Sequence, residues 1–404
     1  MEKALDNLRV LETTHVWAGP IVGMMMADMG AEVIHVEKPG HGDMQRHPSM
    51  HGPGIEGENL VFAMLNRNKK SITLNLKAPK GKEMFMELVK QSDIVVENFT
   101  PGTMDSLGIG YDDLSAVNPR IIMVSVSGFG QNGPYRDYHA YDLVAQAMSG
   151  WMSVTGYPGQ PPVRGGGVIA DYLGGIFGFC GLMTALYWRE RSGQGQQVDV
   201  SLMDSAAFTL GDRIVRYAAI GDPELIAPVG NKYPNMPMAL CYPTKDGYFT
   251  FRFPSTESIG NLIKMIDEKM PANMDQKQLT VKEMTENPGF WESYEDRITQ
   301  FLKDKTNDEA MAIMESMDIA CSPVLTLDKV IEDPQFNARE MMVEVEHPKI
   351  GKMKMPGIVP KLSKTPGKVE TPGPSLGQHN EDIYCSLLGC TKDELANLKD
   401  DNII

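Results

Sequence analysis

A single carboxylate, Asp171, stands in Val168-Ile169-Ala170-Asp171-Tyr172-Leu173-Gly174-Gly175, between a Gly/Pro-rich stretch and a run, Tyr172–Trp188, that carries no charge. Two kinds of work suit an aspartate there. It can cap a helix, because a carboxylate accepts the N–H groups left free in a first turn. It can also attack an activated acyl group and form a covalent intermediate, with the helix N–H groups stabilising an oxyanion. The two roles are compatible. The basic cluster Arg67, Asn68, Lys69, Lys70 and Lys77 has two readings as well, a solvated loop or a clamp for a phosphorylated ligand. His15 and His139 are lone histidines outside any metal-ligand spacing.

Several chemistries find no motif. The five cysteines, Cys180, Cys241, Cys321, Cys385 and Cys390, are scattered and form no CxxC pair. Neither a metal site nor a disulfide framework is expected, which fits a reducing cytoplasm. No P-loop or HExxH occurs, and the loop Trp17-Ala18-Gly19-Pro20-Ile21-Val22-Gly23 departs from G-x-G-x-x-G. Pro20 lacks the N–H that a pyrophosphate cradle uses, so a dinucleotide is not expected. The net charge of −15 argues against nucleic-acid or anionic-membrane partners. The first residues show no signal-peptide core. Tyr172–Trp188 is shorter than the roughly 20 residues of a span, so a buried helix is expected.

The elements that position Asp171 read as an alternation. Strands are expected over Leu8–Thr13, Glu32–Glu37, Ser71–Leu76, Asp93–Phe99, Ile121–Val126 and Gln196–Ser201. Helices are expected over Gly19–Met29, Gly81–Gln91 and, as one element, Leu202–Ile220. Such alternation predicts an α/β fold, a parallel sheet with helices on both faces. Its ligand then lies beyond the carboxyl ends of the strands, at Thr14–Pro20, Lys38–Gly40, Asn98–Gly102 and Ser127–Gly130. The character changes near Ala227, where prolines cluster, and Tyr242–Thr250 reads as a hairpin with an Asp-Gly turn. Charged helices are expected over roughly 255–320 and a helix near 391–399. The domains are therefore set at 1–205, a bridging helix 206–226, a small domain 227–325, and a return segment 326–404 that completes the large domain.

Ordered blocks along almost the whole chain resemble the class III CoA-transferase family, which includes formyl-CoA:oxalate, carnitine and aryl- or 2-hydroxyacyl-CoA transferases. They are Thr14–Pro20, Gly30–Glu37, Asn66–Ile72, Val96–Phe99, Ser127–Gly130, Tyr141-Asp142 with Ala145–Ala147, Ala170–Tyr172, and Asp333–Gln335 with Ala338-Arg339. The resemblance implies a Rossmann-like large domain, a smaller α+β domain, and two chains interlocked as a homodimer. It implies that Asp171 carries aspartyl anhydride and aspartyl-CoA thioester intermediates. Coenzyme A and acyl-CoA are then substrates, with no tightly bound cofactor. The implied CoA site comprises His15, Val16, Ala18, Lys38, Leu74, Lys77, Asn98, Phe99, Ser106 and His139, with Lys38 and Lys77 pairing phosphates. Trp17 and Tyr141 would line the substrate pocket.

Two positions and one loop depart from the oxalate-specific members. Trp17 replaces a glutamine, Ser106 replaces an arginine, and Gly230–Met236 has no polyglycine loop. An acid larger or less polar than oxalate is expected. A 2-methylacyl-CoA racemase is the main alternative. That subfamily's histidine-bearing stretch corresponds here to Tyr141-Asp142-Leu143, and tyrosine is a poor base at neutral pH. A non-catalytic acyl-CoA-binding protein is another alternative.

Overall fold

A computed structural model describes residues 3–50, 52–232, 241–252, 261–262, 264–266 and 288–404. Six strands, β1 (Arg9–Glu12), β2 (Glu32–Glu37), β3 (Lys70–Thr73), β4 (Ile94–Glu97), β5 (Ile122–Ser127) and β6 (Gln197–Ser201), form one sheet in the order β3-β2-β1-β4-β5-β6. Every neighbouring pair is parallel. The strands are Val- and Ile-rich because both faces are covered. Side chains alternate between two apolar layers. Val10, Val33, Ile94, Val96, Val124 and Val126 pack with the helices Ala18–Asp28 and Ile169–Ser192. Leu11, Ile34, Ile72, Val95 and Met123 pack on the other face with Met84, Phe85, Leu88 and Val89 of the helix Pro79–Lys90. The strand order reverses between β1 and β4, which opens a crevice at their carboxyl ends.

The chain divides into two compact units. The first comprises Met1–Trp151, Arg164–Gly211 and Pro334–Ile404, and the second Met152–Val163 and Asp212–Asp333. In the first unit the C-terminal segment docks on the sheet. The Tyr384 hydroxyl donates to the Thr73 carbonyl at 2.7 Å and Asn75 N–H to the Ile403 carbonyl at 2.7 Å. A hairpin, β10 (Met342–His347) and β11 (Gly351–Pro356), also belongs to it. The second unit holds an antiparallel sheet, β7 (Cys241–Thr244), β8 (Gly247–Arg252) and β9 (Ala320–Pro323), with the helices Pro288–Lys303 and Asn307–Glu315.

The fold class is the expected α/β arrangement, and three local expectations change. The hairpin loop is Lys245-Asp246, because Thr244 pairs with Gly247 and Asp246 instead accepts the Asn307 N–H at 2.8 Å. Leu202–Ile220 is two helices, Leu202–Phe208 and Gly211–Ile220, since Thr209 ends the first by donating its hydroxyl back to the Ala206 carbonyl. The buried helix expected over Tyr172–Trp188 runs from Ile169 to Ser192 and buries only one face, and Ile176, Tyr187 and Trp188 are exposed. Much of the expected helical region 255–320, and Tyr233–Met236 of the loop after Gly230, lie outside the described residues. All five cysteines are free thiols.

Candidate active site

The loops that leave β1, β4 and β5 converge on a cavity of about 360 Å³. It is walled by His15–Ala18, Asn98–Pro101, Ser127-Gly128, Tyr138–Tyr141 and Asp171. The β1 and β4 loops are fastened to each other. His15 N–H donates to Asn98 Oδ1 at 2.9 Å, and Asn98 Nδ2 donates to the His15 carbonyl at 2.8 Å. The His15 and Phe99 rings lie 5.7 Å apart. Burial, with the nearby His35, pushes the His15 imidazole below its ordinary value, favouring the neutral ring.

Asp171 does not cap its helix. The cap position is Val168, which makes no side-chain cap, and Asp171 is the third helical residue. The cap comes from Asp142, on the separate helix Asp142–Met148. Asp142 Oδ1 accepts the N–H groups of Ala170 at 2.7 Å and Asp171 at 3.4 Å. Its Oδ2 accepts from Gln146 Nε2 at 2.6 Å, and Gln146 Oε1 accepts the Gly165 N–H at 2.9 Å. These contacts also occupy two first-turn donors that an oxyanion could have used.

The Asp171 carboxylate is left exposed to its electrostatic surroundings. It is 8% accessible and accepts no hydrogen bond among the described residues. Burial, then the charge of Asp142, pushes its titration up to about 7. A buried carboxyl beside a like charge is the pattern of a reactive group. Its helix is seated closely. A Cβ on Gly178 would lie 2.9 Å from Val22, and one on Gly175 would lie 3.0 Å from the Ala18 carbonyl. The glycines let the helix approach Ala18–Asp28 and so bring Asp171 to the His15–Ala18 loop. The Trp17 ring meets Tyr172 edge-on at 5.6 Å.

Of the residues singled out from sequence, His15, Val16, Trp17, Ala18, Asn98, Phe99, His139, Tyr141 and Asp171 share this cavity. Lys38, Leu74, Lys77 and Ser106 lie outside its lining. Lys38 and Lys77 are exposed beyond the carboxyl ends of β2 and β3 and make no ion pair among the described residues. Leu74 is buried in the apolar layer. The Ser106 hydroxyl donates to the Thr103 carbonyl at 2.8 Å.

Within the basic cluster, Arg67, Lys69 and Lys70 are engaged by carboxylates, while Lys77 is exposed. Arg67 is buried and pairs with Asp28 at 2.6 Å, while Lys69 is buried on Glu12 at 2.8 Å. Lys70 bridges Glu32 and Asp382. A buried cation needs a partner, so Arg67 and Lys69 turn inward as counter-ions, while Lys70 stays part-exposed at the edge of the sheet.

Asp142, Gln146 and Glu97 stand inside the ordered blocks Tyr141-Asp142 with Ala145–Ala147 and Val96–Phe99, yet the sequence assigns them no role. For Asp142 and Gln146 the further signal is the i,i+4 spacing of a carboxylate and an amide. Glu97 is buried at the end of β4, accepts the Phe99 N–H at 2.8 Å, and is pushed up to about 7 by burial. It lines a second, polar cavity of about 280 Å³ with Gln131 and Arg136.

Known proteins share this sequence and architecture. CoA-transferase family III matches residues 5–380. The succinyl-CoA–D-citramalate CoA-transferase of Chloroflexus aurantiacus is 37% identical over 402 residues, 100% of this chain and 98% of that protein. A formyl-CoA:oxalate CoA-transferase of Rhodopseudomonas palustris is 35% identical, covering 99% and 97%. The acetyl-CoA:oxalate CoA-transferase of Acetobacter aceti is 36% identical, covering 91% of each chain. The crystal structure of a CaiB/BaiF family protein from Brucella suis superposes with a TM-score of 0.82 at 30% identity, covering 96% of this chain and 100% of that one. The matched span and the identities across it place the chain in CoA-transferase family III, as a CoA-transferase enzyme.

Proposed function

We propose that the enzyme moves coenzyme A from an acyl-CoA thioester to a free carboxylic acid with Asp171 as the covalent carrier. The observation that carries this reading is the Asp171 carboxylate, buried on the cavity wall without a hydrogen bond among the described residues and pushed up to about 7. An Asp171 oxygen bonds to the donor acyl carbon, the C–S bond breaks, and CoA leaves as thiolate. The thiolate then bonds to Asp171 Cγ, and the donor acid departs as carboxylate. The acceptor carboxylate attacks that aspartyl thioester, giving a second anhydride and thiolate again. Thiolate attack on the acceptor's acyl carbon releases the new acyl-CoA and restores Asp171. Each step exchanges one activated acyl bond for another, so the thioester's free energy is kept provided water is excluded.

Coenzyme A enters as substrate, and no resident cofactor is required. His15, Val16, Ala18, Asn98, Phe99 and His139 line the cavity that would receive it. Lys38 and Lys77 stand outside, on the ligand edge of the sheet, where phosphates could meet them. The acid lies against Trp17 and Tyr141, which line the cavity. The relatives act on oxalate or D-citramalate by name, and the bulk of Trp17 favours an acid larger or less polar than oxalate. A second copy of the chain would cover exposed apolar side chains such as Phe208 (73% exposed) and Ile220 (72%). Sedimentation of the purified enzyme as a monomer would remove the dimer from this reading.

Incubation with an acyl-CoA followed by hydroxylamine or borohydride should modify Asp171 and no other carboxylate. Normal transfer by Asp171→Ala would sink the reading. A matrix of formyl-, acetyl- and succinyl-CoA against free acids, read by mass spectrometry, names the pair. Deuterium wash-in at the acyl α-carbon without an acceptor would point to a racemase instead.

A further inference from the structure

Val16 is the one β-branched residue among the described non-glycine residues with positive φ, at +67°. For such a side chain this is a true outlier, and outliers of this kind concentrate where a site must be held in shape. The residue that holds it comes from a different loop. The Val16 N–H donates to both carboxylate oxygens of Asp43, at 3.1 and 3.3 Å. Asp43 is buried and itself fixed. Its N–H donates to Glu37 Oε2 at 2.9 Å, its Oδ1 accepts the Gln45 N–H at 2.9 Å, and His35 Nε2 lies 4.0 Å from Oδ2. On the other side of Val16, His15 is clamped by Asn98, and the Trp17 carbonyl accepts the Ile21 N–H at 3.0 Å. Three successive residues are therefore pinned by three separate elements.

We propose that Asp43 is a positioning residue of the active site. It holds Val16 in the left-handed conformation and so turns Trp17 onto Tyr172, beside Asp171. The cavity residues His15 to Ala18 depend on it, although Asp43 does not line the cavity. This inference rests on the assignment of Asp171 as the reacting group.

Asp43→Ala should lower kcat/KM by about a hundredfold, the scale of a small misplacement of reacting groups. Val16→Gly added to Asp43→Ala should recover at least tenfold of that loss, because glycine adopts this φ without strain. Asp43→Asn, which keeps one acceptor oxygen, should fall between the parent and Asp43→Ala, and it decides the matter if the alanine variant does not fold. Hydrogen exchange at the Val16 amide should quicken at least tenfold in the Asp43 variants. The fluorescence assigned to Trp17, by difference from Trp17→Phe, should shift with it. Parent-like kcat/KM, exchange and fluorescence in the Asp43 variants would overturn the proposal, as would a loss that Val16→Gly cannot relieve. If the parent shows no CoA transfer, the assignment of Asp171 has failed, while amide exchange and Trp17 fluorescence still decide the role of Asp43.

Discussion

Replacing the proposed nucleophile should stabilise the protein, by an amount that grows from about pH 4 to about pH 7 and then holds. Asp171 titrates at about 7 in the folded chain against an ordinary 3.8. Ionising it in the fold therefore costs about 4 kcal/mol more than in the unfolded chain, at ~1.4 kcal/mol per pH unit. The sign follows from proton binding. Below about pH 4 both states hold the proton and the parent loses nothing. Between about 4 and 7 the unfolded chain has released its proton while the folded chain retains it, so stability falls as pH rises. Above about 7 the whole penalty is present. Asp171→Asn has nearly the same shape and no charge. Its advantage over the parent should grow from about 1–2 kcal/mol at pH 5 to about 4 kcal/mol at pH 8. Urea unfolding of both proteins at the two pH values reads this directly, with the transition of the first unit followed separately because the chain has two units. A variant no more stable than the parent at pH 8, or a gap that does not change with pH, would refute the account of Asp171 as a buried, uncompensated carboxyl.

The neighbouring aspartate offers a complementary test. Asp142→Asn keeps an acceptor for the Ala170 N–H but removes the charge that raises Asp171, so the acid limb of the single-turnover acylation rate should move to lower pH. The same variant should lose about 1–2 kcal/mol by chemical denaturation, because its amide would face the Gln146 Nε2 donor. Gly178→Val should cost about 1–3 kcal/mol by overpacking against Val22 and lower kcat as the Asp171 helix is pushed off, measured by melting and steady-state kinetics. Arg67→Ala should cost about 3–5 kcal/mol in urea unfolding, because Asp28 is left buried without its counter-ion; a loss under 1 kcal/mol would return Arg67 to the surface.

The sheet was legible because its strands are short apolar runs between helical segments, and their order follows the usual parallel winding. The gathering of His15, Asn98 and Ser127 was legible for the same reason, since each stands at or just past the end of a strand whose carboxyl end must face the crevice. Charge partners were not legible. Arg67-Asn68-Lys69-Lys70 looks solvated as a string of letters, yet its partners Asp28, Glu12 and Asp382 are far away in sequence, and only the fold decides which cations turn inward. The cap was hidden for a similar reason. A local rule assigns the carboxylate nearest the helix start, whereas the working cap is supplied by a residue of another helix, Asp142. The Lys245-Asp246 turn shows the same limit at short range, because Asp246 is claimed by Asn307.

That substitution of one aspartate for another explains how a carboxylate at a helix start can stay reactive. Helix N-termini stabilise anions through unpaired N–H groups and the aligned peptide dipoles. An aspartate that used those donors itself would be a satisfied and acidic group, slow to attack an acyl carbon. Here Asp142 takes the Ala170 and Asp171 donors and adds its own negative charge nearby. Among the described residues Asp171 then has neither hydrogen bond nor cation, and its basicity rises. The cost is stability lost as pH rises from about 4 to about 7, and the gain is a carboxylate nucleophile that still ionises within reach of pH 7. The cap and the nucleophile are thus separate residues whose roles require each other.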